Sequence, residues 1–177
     1  MKNNKLDYYI FIEELNEKII KNIIHLKRRF KIYIIIFPKD FSLISKFIRT
    51  NRVPFYVIDN IQFAVKNRAH GLFLSGKNKR VRGNIKETTK LDVIGSVHNQ
   101  LEYSFKEQQK CSTIMLSPIF YNNKYSLNKI LFPIKFNLIS LNWKINICAL
   151  GGISKKNIKL INITKSNSIG VRSLIKN

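Results

Sequence analysis

The residues from Ile145 to Ser154 read Ile-Asn-Ile-Cys-Ala-Leu-Gly-Gly-Ile-Ser. An apolar, β-branched run stops at Gly151-Gly152, and a Lys/Asn/Ile-rich helical pattern follows Ser154. That pattern predicts a buried strand turning sharply into a helix start. Glycines there let backbone N–H groups approach a ligand, and Ser154 could cap the helix. A helix N-terminus carries partial positive charge and unpaired donors, so Gly151, Gly152 and Ile153 suit a phosphate. The other reading is a tight turn with no ligand.

Further polar residues stand just after apolar runs. They are Asp59-Asn60, Ser75-Gly76-Lys77-Asn78, Ser96-Val97-His98-Asn99, Ser117-Pro118 with Lys124 close behind, and Arg172-Ser173. Asp59 could cap a helix over 61–66 or serve a site. His98 could be a satisfied core histidine or an acid–base group. Lys124 stands in a polar loop, solvated unless the fold brings it to a site. Arg172 has apolar neighbours and could be structural, pointing toward outer helices.

These positions make sense together only if strand ends converge. Eight apolar runs recur: 8–12, 32–37, 55–58, 71–74, 93–96, 113–116, 147–150 and 169–174. They are near-continuous rather than alternating, as expected of strands buried on both faces. Stretches 13–30, 41–51, 101–110 and 155–163 carry helical patterns. Segments 75–91 and 121–143 read as loops with a helical turn or two. Strand–helix alternation predicts a parallel sheet, and eight strands predict a compact (β/α)8 TIM barrel. An open doubly wound sheet is the alternative. The chain is short for a barrel, so several helices must be brief, with no room for a full eighth one. Functional residues of such barrels lie at the C-terminal strand ends, and phosphate sites often use the loops after strands 7 and 8.

Residues 1–177 fit one domain. The formal net charge is +22, from 32 Lys+Arg against 10 Asp+Glu, a field that attracts anions. Ile, Asn and Lys dominate together, a bias that an A+T-rich genome produces by itself. No recognition-helix or stacking motif accompanies the charge, so it is not read as a nucleic-acid footprint. No apolar run is long enough for a membrane span, and the N-terminus lacks a signal-peptide pattern. Cys111 and Cys148 sit at or within apolar runs, like buried thiols of a reducing compartment, and the cytoplasm is the expected location. Homo-oligomerisation is left open.

Six segments, in order, resemble motifs of the thiamine phosphate synthase/TenI family. Asp59-Asn60-Ile61-Gln62-Phe63-Ala64 resembles its Asn-Asp-Arg-x-x-x-Ala segment, and His70-Gly71-Leu72-Phe73-Leu74 resembles Asp-Gly-Val-His-Leu. Ile94 to Asn99 resembles the Gly/Ser-x-His strand, and Leu116 to Phe120 resembles Gly-Pro-Ile-Tyr/Phe. Ala149 to Ile153 resembles Ala-Ile-Gly-Gly-Ile, and Ile169 to Ile175 resembles the closing Val-Ala-Val-x-Ser-x-Ile.

The resemblance implies thiamine biosynthesis. The leading expectation is a synthase, which couples hydroxymethylpyrimidine diphosphate to thiazole phosphate and releases diphosphate. In that case Asp59 and Asn78 would hold Mg2+, Lys124 would touch the diphosphate, and Gly151, Gly152, Ile153, Arg172 and Ser173 would bind the thiazole phosphate. The TenI branch isomerises a thiazole carboxylate phosphate without metal, with His98 as base beside Ser96. A barrel that only binds a phosphorylated ligand is a third reading. Four departures bear on the choice. The basic strand-2 motif is Tyr33 to Lys39 with one lysine. Asn78 stands for a metal aspartate, Phe73 for a histidine, and Tyr121-Asn122-Asn123-Lys124 is one residue out of register.

Overall fold

The structure, a computed structural model, describes residues 6–81, 85–123 and 125–172. Each of the eight apolar runs forms a strand. They are β1 (Asp7–Ile12), β2 (Ile32–Ile36), β3 (Phe55–Ile58), β4 (Gly71–Leu74), β5 (Asp92–Val97), β6 (Thr113–Leu116), β7 (Asn146–Leu150) and β8 (Ser168–Val171). All neighbours pair in parallel and in chain order, and β8 closes on β1 through Tyr8↔Ile169 and Ile10↔Val171. The result is a (β/α)8-type barrel, not an open sheet.

The helices are short, as chain length demanded. They are α1 (Glu17–Lys27), α2 (Phe41–Thr50), α3 (Ile61–Lys66), α4 (Ile85–Thr89), α5 (Gln100–Gln108) and α6 (Phe132–Ile139). Asn16, Asn60 and Asn99 cap α1, α3 and α5 by accepting the N–H three residues on. The helical pattern over 155–163 instead gives a turn and a 3-10 helix over Ile158–Ile163. Asn157 accounts for this. Its side chain accepts the Ser154 N–H at 2.8 Å and donates to the Gly152 carbonyl at 2.8 Å, closing a local ring that competes with an α-helical turn. Ser154 is therefore not a helix cap. No helix among the described residues is long and apolar enough to cross a membrane.

Strand alternation makes two cores. Ile10, Ile34, Val57, Leu72, Ile114 and Ile169 face out, against Ile19 and Ile23 of α1 and Ile44, Phe47 and Ile48 of α2. Tyr9, Tyr33, Tyr56, Phe73, Ile94, Met115 and Cys148 face in. At the N-terminal end three tyrosines fill the barrel. Tyr9 stacks on Tyr33 at 4.9 Å between centroids, and Tyr56 meets Tyr33 edge-on at 5.7 Å. The Tyr56 hydroxyl donates to Asp92 at 2.7 Å, and burial pushes its pKa far above the ordinary phenol value.

Tyr56 needs Gly71 beside it: a Cβ there would lie 2.4 Å from the Tyr56 ring and 2.3 Å from the Asp92 carbonyl oxygen. Neither neighbour can yield without moving a strand. Gly71→Ala is expected to destabilise the fold by about 2–3 kcal/mol in urea unfolding. A loss below about 0.5 kcal/mol, the range of an ordinary surface substitution, would contradict this packing.

Candidate active site

At the end of β3, Asp59 adopts a left-handed backbone (φ 51°), which Asp tolerates better than bulky residues do. Its N–H donates to Phe73 O at 2.9 Å. Its Oδ1 accepts the Ser75 N–H at 3.0 Å and the Asn78 side-chain amide at 2.8 Å. Asp59 is thus not the α3 cap, a role Asn60 holds; it ties β3 to the loop after β4. Asn78 Oδ1 accepts the Arg80 N–H at 3.2 Å, which fixes the amide so that its NH2 faces Asp59.

Below this loop lies Lys106, 1% exposed. Its ammonium donates to Ser75 O, Asn78 O and Gln109 Oε1 at 2.8, 2.7 and 2.9 Å. Gln109 adds bonds from its amide to Asn78 O and Arg80 O, each at 3.0 Å. Burial lowers the lysine's pKa. Sequence reasoning did not find Lys106. Its signals were a glycine inside β5, Gly95, and a Lys-x-x-Gln spacing, both faint in a lysine-rich chain.

A cavity of 310 Å3 opens beside this loop, with Asp59, Lys77, Asn78, Lys79 and Arg80 at its polar side and Leu72 and Leu74 at its apolar side. Leu72 and Leu74 face out of the barrel, so the cavity lies off the barrel axis. Magnesium asks for a near-octahedral set of oxygens, commonly with one or two carboxylates. Here one carboxylate already accepts two N–H groups on Oδ1, Asn78 offers it a donor, and three cationic residues stand close by. Among the described residues no group of three or more His, Cys, Asp or Glu could hold a metal. Asp59 and Asn78 meet, but the amide turns its donor toward the carboxylate and its oxygen toward Arg80, an arrangement that does not present two oxygens together to a divalent cation.

His98 follows β5, whose inward face carries Ile94 and then Ser96, the latter 8% exposed. Glu102 reaches back from α5 and accepts the His98 N–H at 2.9 Å, while Asn99 accepts the Glu102 N–H at 2.9 Å. Glu102 thus bonds the residue before the Asn99 cap, a variant of the capping box, and the pair fixes the backbone under the imidazole. The ring's Nδ1 lies 3.1 Å from Ser117 O and 2.9 Å from Ser117 Oγ, and Nε2 lies 3.4 Å from the Tyr125 hydroxyl. Ser117 O can only accept, so an Nδ1 proton directed at it would leave Nε2 as the lone pair, whereas a Ser117 hydroxyl donating to Nδ1 would put the proton on Nε2. Ser117 is buried at 4% and ends β6. The sequence marks Ser117 as a residue at a strand end and gives no sign of Tyr125. A hydrogen bond across 19 residues leaves no local pattern.

Gly151 and Gly152 have φ of 95° and 69°. A Cβ on Gly152 would lie 2.4 Å from Phe120 O, and the Phe120 N–H donates to Gly151 O at 3.1 Å. The glycines therefore let the β7 end dock on the β6 loop, with Ile153 buried at 3%. No α-helix follows, so a phosphate here would rely on turn N–H groups without a helix dipole. Arg172 continues the inward side of β8. It pairs with Glu13 at 3.0 Å and lies over the Phe11 ring at 5.7 Å, across the barrel mouth and not toward the outer helices. Lys39, the remaining basic residue of the strand-2 segment, lies over Phe37 at 5.9 Å. Lys124 and Ser173 fall outside the described residues. Burial pushes the Cys111 and Cys148 thiols up to about 12, which makes both poor nucleophiles.

The His98 geometry has a spectroscopic consequence. With Ser117 O as the partner of Nδ1, imidazole 15N shifts of the neutral ring should show the Nδ1–H tautomer as the major form. A majority of Nε2–H would mean that the Ser117 hydroxyl donates to Nδ1 instead.

The sequence profile of the thiamine monophosphate synthase family matches residues 37–175. No curated protein matches the sequence. Among solved structures, thiamine phosphate pyrophosphorylase from Pyrococcus furiosus superposes with a TM-score of 0.72 at 19% identity, over 97% of this chain and 87% of that one. The YdjI aldolase from Escherichia coli K12 superposes with a TM-score of 0.64 at 12% identity, over 96% and 76%. Identities this low show the barrel alone. The profile covers most of the chain and includes the strand ends from β3 to β8, and on that ground the chain belongs to the thiamine monophosphate synthase/TenI family.

Proposed function

We propose that this protein acts on a phosphorylated thiazole in thiamine biosynthesis, moving a proton between two of the substrate's carbons with His98 as the base. The observation that carries the reading is the His98–Ser117 contact at the strand ends, where an Nδ1 proton donated to Ser117 O would leave Nε2 as the lone pair. Imidazole is the side chain suited to taking and returning a proton near neutrality. In the reaction Nε2 removes a C–H proton, the ring becomes imidazolium, and the same nitrogen returns a proton at the second carbon. The Tyr125 hydroxyl can meet the substrate beside Nε2, and Ser96 lies one inward step below. The substrate's phosphate is assigned to the Gly151-Gly152-Ile153 turn with Arg172 and Ser173, while Phe11, Phe73 and Leu150 offer its ring an apolar floor. A cytoplasmic setting goes with unpaired, buried cysteines.

Coupling of a pyrimidine diphosphate to thiazole phosphate is the second reading. Asp59 favours it, with Lys77, Lys79 and Arg80 near enough to meet a diphosphate and Lys124 as a further contact. It stands second because the Asp59–Asn78 pair does not suit the magnesium that a diphosphate departure calls for.

One assay separates these readings. Wild-type protein without added metal should isomerise the thiazole carboxylate phosphate, followed by ultraviolet absorbance. His98→Gln should lose roughly 10²-fold or more while retaining phosphate binding, as expected when a general base is removed. Coupling without isomerisation would select the second reading. Binding with neither activity would leave a non-catalytic barrel.

A further inference from the structure

The loop after β4 is organised around a buried ammonium. Two backbone carbonyls, Ser75 O and Asn78 O, converge on the Lys106 ammonium, and Gln109 Oε1 completes three acceptors at 2.7–2.9 Å. Carbonyl dipoles pointed at one spot repel one another unless a cation lies between them. The lysine reaches that spot past Gly95, where a Cβ would stand 2.6 Å from Lys106 Cδ. The strand thus gives up a side chain to let the lysine through. On the other side of the loop the Asn78 amide donates to Asp59, so a neutral hydrogen bond links the lone carboxylate to the loop that Lys106 holds.

We propose that Lys106 and Asn78 are positioning residues that replace a divalent metal at Asp59: the ammonium is a resident cation, the amide bridges the carboxylate to the loop, and the site binds no Mg2+. The inference rests on the family reading only in taking this loop as part of the site. Two physical consequences distinguish it from a plain structural lysine. A second carboxylate in place of the amide should open a metal site. Removing the resident cation should then strengthen that site, because like charges no longer oppose.

The test uses Mn2+, which suits the same hard oxygen ligands as Mg2+ and is read by electron paramagnetic resonance. Wild-type protein should show no saturable site up to roughly millimolar Mn2+. Asn78→Asp should gain one site at least about tenfold tighter, lost again when Asp59→Ala is added. Adding Lys106→Met to Asn78→Asp should tighten binding a further several-fold. If Lys106→Met does not fold by circular dichroism, Lys106→Gln makes the same test. A stoichiometric Mn2+ site in wild type, a folded Asn78→Asp that gains nothing, or weaker binding without the lysine would each overturn the proposal. These are binding measurements, so a failed isomerisation assay would leave them standing and the two claims fall separately.

Discussion

A closed barrel must be filled from inside by every second residue of its strands, and these strands are only four to six residues long. Each has two or three inward positions, so the filling side chains must be large. Tyr9, Tyr33 and Tyr56 take the N-terminal end, packed ring on ring and anchored by Asp92. With that end plugged, the opposite end is left for chemistry. Its edge carries Asp59, His98, Ser117, Gly151-Gly152 and Arg172, from the ends of β3, β5, β6, β7 and β8. Closure of short strands around a tyrosine plug thus gathers residues far apart in sequence at one end of the barrel.

The positions of the strands were readable because both their faces are buried, which writes an unbroken apolar run for each. The glycine turn was readable too, since positive φ and contact with Phe120 leave no room for other residues. The helix after β7 was misread. Lysines and isoleucines at helical spacing gave the pattern, but one asparagine, Asn157, closed the backbone on itself first. Asp59 was seen as a candidate, yet its neighbour Asn60 caps α3 and frees it for Ser75 and Asn78. Lys106, and the partnership of Ser117 with His98, were hidden for a shared reason: apart from Gln109, their partners lie 19 to 31 residues away, and neither residue type is unusual at its place.

The charge distribution fits a site for phosphorylated substrates. A net charge of +22 draws anions from every side, and Asp59 is one of only 10 acidic residues. Near it the structure spends a buried lysine and an amide on holding a loop, where a metal-dependent site would collect carboxylates. On the other side of the edge an imidazole nitrogen lies within hydrogen-bond distance of a backbone carbonyl. On the proposed reading, the first feature speaks against metal-assisted departure of diphosphate, and the second for proton transfer. Both follow from hydrogen-bond geometry, and neither depends on how closely the barrel superposes on its relatives.

Proton transfer by His98 is the central claim, and isotope exchange tests it most directly. The thiazole carboxylate phosphate is incubated with the protein in deuterium oxide, without metal, and followed by proton NMR. The account predicts that the substrate's transferable C–H signal disappears and that deuterium enters the product at its newly protonated carbon. A substrate that binds and keeps its C–H signal would contradict it.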